Sequence, residues 1–302
     1  MISLSTGAFY GRATRQIGSL RSRADELQQQ IGSGERLSRS SDDPVAAARM
    51  RMLTRGQRLA DVDQRNSDLA QNDLKLTDNA LGSIANVIIR AKELAIQAAS
   101  ATLGADQQAS IGIEIASLQQ SLLFTANSRD GAGHALFGGE TSGAAYEMSG
   151  GVVSYLGTAG TEPVPLGEGQ SVTPSLTGPE VFNFEVGGVP TDLFAVLGTL
   201  AAALQGAGDP VAASRDAMTA LDTGLEKVTA AQTVVGARLS WIELMDQRRE
   251  ATGELVAAEQ ADIGGADLAT TMTRLQEVMT VLEASQASFV RLSQLSLFSM
   301  LR

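Results

Sequence analysis

The residues able to do chemistry are few, and each has a structural role that accounts for it. His134 is the only histidine and cysteine is absent, so zinc sites built on several imidazoles or thiolates, Cys-His pairs and disulfide frameworks are excluded. His134 follows Asp130-Gly131-Ala132-Gly133, a turn sequence, and reads as an exposed loop residue. Asp42 and Asp43 are adjacent carboxylates that could serve acid-base work or a metal. A helix start accounts for both, since Asp43 suits the N-cap, Pro44 suits the first helical position, and the second carboxylate meets the helix dipole. Gly32-Ser33-Gly34 follows a helical pattern and lacks a GKS/T continuation, so it is neither a P-loop nor a dinucleotide fingerprint. The stretch from Asp130 to Glu140 lacks the alternating Asp/Asn ligands of a calcium loop. The expectation is a protein that is not an enzyme and takes no metal or cofactor.

What remains informative is the elements around these residues. Tyr10, Ala13, Ile17, Leu20, Ala24, Leu27 and Ile31 recur at steps of three and four, the a/d pattern of a coiled-coil seam. The steps return near the C-terminus at Leu268, Met272, Leu275, Met279, Leu282 and Phe289, with Gln286 the polar interruption. Each stripe needs a partner helix. Ile17, Leu20, Leu27, Ile31, Leu268, Met272, Leu275, Leu282 and Phe289 are the expected packing residues, shared between pairing of the two ends and contacts among subunits.

Composition favours paired helices over a thick globular core, because aromatic residues make up only 4% of the 302-residue chain. The net charge of −11 hides an asymmetry. Residues 1 to 65 hold eleven Arg and seven acidic residues, whereas residues 66 to 302 hold twelve basic and twenty-seven acidic. The arginines alternate with Asp and Glu and have no aromatic stacking platform among them, so nucleic acid is not an expected partner. No run of apolar residues is long enough for a membrane span, and MISLSTGAFY has no basic and apolar sequence typical of a cleavable signal.

Between the seams, Pro44 opens a long helix in which Val45, Ala48, Met52, Leu59, Val62, Leu69, Leu76 and Ala80 keep three-four spacing. Leu81, Ile84, Ile88, Ala91 and Ala95 continue it after a small phase shift. Unbroken to Thr102, this helix would be roughly 90 Å long. Residues 106 to 127 form a further helix, residues 129 to 190 a Gly-, Thr- and Val-rich β insertion, and helices return from Asp192 and from Asp209-Pro210. Ile263-Gly264-Gly265 precedes the last seam helix, which opens at about Asp267. The expected fold is mainly α: a long antiparallel helical rod or coiled coil formed by N- and C-terminal segments, with a small β-rich insertion at its tip. Three domains are expected: 1–42 with 263–302, 43–128 with 191–262, and 129–190.

Three passages carry a resemblance. Gly32-Ser33-Gly34-Glu35-Arg36-Leu37 followed by Ser41-Asp42-Asp43-Pro44-Val45-Ala46-Ala47 resembles the junction of the first two helices in the flagellin superfamily. SDDPVAA, in place of a DDAAG-like sequence, is similar to the hook-filament junction proteins of bacterial flagella, the hook-associated proteins of type 3. Ala126-Asn127-Ser128-Arg129-Asp130-Gly131-Ala132-Gly133 with Leu136-Phe137-Gly138-Gly139, and Leu282 to Phe289 with Leu295-Ser296-Leu297, agree. Ile263-Gly264-Gly265 and the closing Leu301-Arg302 depart from the junction pattern.

The resemblance implies a structural role in the flagellum, joining hook to filament as an assembled ring. It implies as partners further copies of the chain, flagellin, other hook or hook-associated proteins, and an export chaperone on the C-terminal helix. It implies an extracellular location reached by type III export without a cleavable signal. Two alternatives stay open: a minor flagellin that forms filament itself, and an unrelated cytoplasmic coiled-coil adaptor.

Overall fold

Helix termini in this chain are set by side chains that satisfy otherwise orphaned backbone groups. The structure, a computed structural model, describes residues 3–37, 39–41, 43–100 and 103–300. Asp42, Leu301 and Arg302 lie outside the described residues. Helix α1 spans Ser3–Ser33, α2 Pro44–Ala98, α3 Ala105–Ala126, α4 Gly178–Phe182, α5 Leu193–Ala202, α6 Pro210–Gly264 and α7 Leu268–Met300. Asp43 accepts from the Ala46 backbone N–H at 3.0 Å, and Asp209 accepts from Val211 and Ala212 in the same way. At 55 residues each, α2 and α6 are about 80 Å long. The expected β insertion consists of three two-stranded antiparallel hairpins: β1 Tyr146–Ser149 with β2 Val152–Tyr155, β3 Val164–Gly167 with β4 Gln170–Val172, and β5 Asn183–Val186 with β6 Val189–Asp192. Gly150-Gly151 and Gly187-Gly188 close the first and third with positive φ at both turn residues, as a type I′ turn requires. The fold is mainly α with small antiparallel sheets.

The chain falls into two compact units, residues 1–58 with 251–302, and residues 59–250. The first stretch of α2 and the last of α6 therefore go with the terminal helices, a grouping different from the expected boundaries at 42 and 263.

In the second unit, the buried face of α2 runs through Ser67, Ala70, Leu74, Thr77, Leu81 and Ile84. The stripe expected through Leu59, Val62, Leu69 and Leu76 is exposed. The two hydroxyl residues take seam positions because their polarity is absorbed locally. Thr77 Oγ1 donates to the Asp73 carbonyl at 2.9 Å, and Ser67 Oγ accepts from Arg249 at 3.1 Å. Helix α3 lies close against α5, where a Cβ on Gly112 would meet the Ala201 carbonyl at 3.1 Å. The buried Gln119 amide donates to the Phe194 carbonyl at 2.8 Å across that contact.

Residues 129–190 share this core, with no separate one of their own. Phe137, Tyr146, Tyr155, Phe182 and Phe194 form one set of tilted and edge-on ring contacts with centroids 5.0–5.6 Å apart. The β3–β4 hairpin does not extend outward as a tip. It lies along the helices, where Asn66 of α2 donates to the Pro165 carbonyl at 3.0 Å and Arg249 of α6 donates to that of Leu166 at 2.9 Å. Eleven residues earlier on the same face of α6, Arg238 donates to the carbonyls of Thr173 and Ser175 at 3.1 and 2.9 Å.

Candidate assembly interface

The first unit is organised by the pairing of α1 with α7. On α1, Ala24 and Leu27 are buried, while Ile17, Leu20 and Ile31 are half-buried along the same face. The facing line on α7 is Thr271, Leu275, Val278, Leu282, Ser285 and Phe289. Tyr10 and Phe289 meet edge to face with ring centroids 5.5 Å apart, and the Tyr10 hydroxyl donates to the Leu292 carbonyl at 3.2 Å.

The structure thus brings together seven of the nine expected packing residues and leaves two apart. Leu268 and Met272 are 48% and 53% exposed. The expected stripe and the observed line share Leu275, Leu282 and Phe289 and differ in what lies between them. Both have three-four spacing, so periodicity does not separate them. Thr271, Val278 and Ser285 stand on the flank of α7 that is covered, and Leu268, Met272 and Met279 are left on the open flank.

A backbone strap closes this unit near the inner ends of the pair. Gly34, at φ +72° beyond the last turn of α1, lets the chain reverse. The Arg36 N–H then donates to the Gly264 carbonyl at 2.7 Å and the Ala266 N–H donates to that of Gly34 at 2.8 Å. The Arg36 guanidinium adds a bond to the Ile263 carbonyl at 2.8 Å and an ion pair with Asp43 at 3.7 Å. Arg49 of α2 makes a bidentate pair with Glu259 of α6 at 2.6 and 2.9 Å, which holds the Glu259 carboxyl below its usual range. Asp267 caps α7, and the Thr270 side chain and backbone keep its carboxyl low. Composition and spacing suggested Asp43 and Pro44 but not this strap, whose bonds are largely main-chain and leave no residue-type signature.

His134 sits where the turn placed it. Asp130 accepts from the backbone N–H of Ala132 and His134 at 2.9 and 2.8 Å, and the exposed imidazole lies 3.4 Å from the same carboxylate. Among the described residues, no three His, Asp or Glu side chains are grouped so as to hold a metal ion. No described helix is long and apolar enough to cross a membrane.

The first and last long helices of the chain pair through a narrow seam, and apolar residues of α7 are left on its open flank. Residues 4–142 match the bacterial flagellin N-terminal helical region, and residues 218–301 the flagellin C-terminal helical region. The chain is 26% identical to flagellar hook-associated protein 3 of Escherichia coli, with 98% of each chain covered. To the flagellar filament 41 kDa core protein of Borreliella burgdorferi it is 29% identical over only 36% of this chain and 33% of that one. Its fold is shared with the FlgL crystal structure from Xanthomonas campestris, at TM-score 0.62 and 19% identity over 69% of this chain and 99% of the other. The chain belongs to the flagellin superfamily, in its branch of hook-filament junction proteins.

Proposed function

We propose that this chain is a structural subunit of the bacterial flagellum that joins hook to filament. The observation that carries the reading is the end-to-end match to a hook-associated protein 3, against a match to a filament protein over about a third of the chain. The filament alternative is not favoured on that contrast, and a cytoplasmic adaptor has no support from the same relatives.

In this reading, copies of the chain form a ring that meets hook-type proteins on one side and flagellin on the other. The half-buried line on α1 and α7 joins the ends of one chain, and the open flank of Leu268, Met272 and Met279 serves neighbouring subunits. Before assembly, a chaperone on the C-terminal helix would cover that flank, and the thiol-free chain would be exported unfolded to the cell exterior. The work is done by packing and involves no catalysis.

Deletion of the gene, followed by electron microscopy of cells and assay of flagellin in the medium, tests the reading. Bare hooks with flagellin shed into the medium are expected. Filaments of normal length on intact hooks would overturn it.

A further inference from the structure

Two exposed helix faces in this chain carry opposite charge at the same spacing. On α2, Arg51, Arg55 and Arg58 stand at i, i+4 and i+7, all exposed. None makes an ion pair among the described residues, in contrast to Arg49 on the same helix. Beside them Met52 and Leu59, seven residues apart, are 64% and 57% exposed. On α6, Glu243, Gln247 and Glu250 stand at the same i, i+4 and i+7, exposed and likewise without an ion pair among the described residues. Leu244, beside Glu243, is 41% exposed, and the exposed Arg248, one turn further on, flanks it on the side away from the two glutamates.

We propose that the outward face of α2 from Arg51 to Leu59 is a docking surface for the outward face of α6 from Glu243 to Glu250 on a second copy of this chain. In heptad terms Met52 and Leu59 take one a-type line with Arg51 and Arg58 at the flanking g positions, and Leu244 has Glu243 at its own g position. Flanking charges of this kind choose the partner and the orientation of paired helices, while the apolar line between them is what becomes buried. Matched spacing lets both arginines meet glutamates at once, with Arg55 opposite Gln247. A second copy is the occupant the charges select, because each copy carries both faces and the excess of arginine lies before residue 66. The two faces are unlike, so one such contact leaves a face of each copy free to meet another, and repeated from copy to copy it generates a ring or a helical row; a two-fold axis that paired both faces at once would give a closed dimer instead. The inference rests on the junction reading for where copies meet and specifies which faces do so.

The test uses the absence of native cysteine. Full-length chains carrying either Arg55→Cys or Gln247→Cys are expressed together in a motile host deleted for the gene, and isolated hook-filament structures are oxidised. A disulfide joining the two kinds of chain is expected to be the main cross-linked product. It should be lost when the Arg55→Cys chain also carries Arg51→Glu and Arg58→Glu, and recovered when the other chain carries Glu243→Arg and Glu250→Arg. Restored filaments with no such disulfide, or with disulfides only between like chains, would overturn the docking while leaving the junction reading intact. Failure of the unaltered chain to enter the hook-filament structure would overturn the junction reading and the docking with it.

Discussion

Arg249 and Leu166 lie 83 residues apart in the chain, and the Arg249 guanidinium donates to the Leu166 carbonyl at 2.9 Å. The same guanidinium also reaches Gln64, Ser67 and Asp246, so one largely buried cation joins α2, α6 and the β3–β4 hairpin. Arg249→Ala should destabilise the protein by about 2–4 kcal/mol, since it strips partners from Asp246 and a buried hydroxyl. Urea unfolding followed by the fluorescence of Trp241, the only tryptophan and itself on α6, would measure this. A midpoint equal to wild type would show that the hairpin is held by other contacts.

The Tyr146 hydroxyl is buried and has no hydrogen-bond partner, and burial pushes its ionisation well above the usual phenol range. Removing an unsatisfied buried donor removes a desolvation cost, while the ring contacts to Tyr155, Phe182 and Phe194 stay. Tyr146→Phe should therefore leave stability unchanged or raise it by roughly 1 kcal/mol. A lower thermal midpoint would contradict the assignment of that hydroxyl as unpaired.

Leu275 and Leu282 lie on the α1–α7 line, the second of them 8% exposed. Replacing both with Asp should abolish incorporation into flagella and reduce helicity, while the core of residues 59–250 stays folded. Incorporation at wild-type level would dismiss the line as an assembly determinant.

Asp73 has its carboxyl raised above 3.8, first by burial and then by the neighbouring Asp130, with His134 opposing. A carboxyl raised in the folded state binds its proton more tightly there than in the unfolded chain. Its contribution to stability is therefore full below the ordinary value and is lost as pH rises through the raised one. Asp73→Asn should gain stability over wild type at neutral pH, with the two converging near about pH 3. Parallel urea curves at the two pH values would decide it, and a variant that loses stability at neutral pH would reverse the sign.

The helices and their order were legible in the sequence because cap residues and proline mark helix starts without help from packing, as at Asp43-Pro44 and Asp209-Pro210. Apolar periodicity was a poorer guide to which face is buried. On α2 it selected Leu59, Val62 and Leu69, which are exposed, and passed over Ser67 and Thr77, which are buried. Hydroxyls that bond to the preceding turn or to an arginine look polar in sequence and behave as seam residues in the fold. On α7 the two possible lines differ by a rotation smaller than a residue step, and only the partner helix decides between them. The attachment of β3–β4 uses main-chain carbonyls as acceptors, which no residue type announces.

The contact between Tyr10 and Leu292 spans 282 residues. Closing a flexible loop of that length costs about 5 kcal/mol before any contact rewards it, whereas the core of residues 59–250 closes over much shorter separations. The expected order follows from this difference: the core of residues 59–250 forms first, and α1 joins α7 last. In a chain delivered from its N-terminus, the apolar line of α1 stays uncovered through nearly the whole of delivery, until Leu275, Leu282 and Phe289 arrive to meet it.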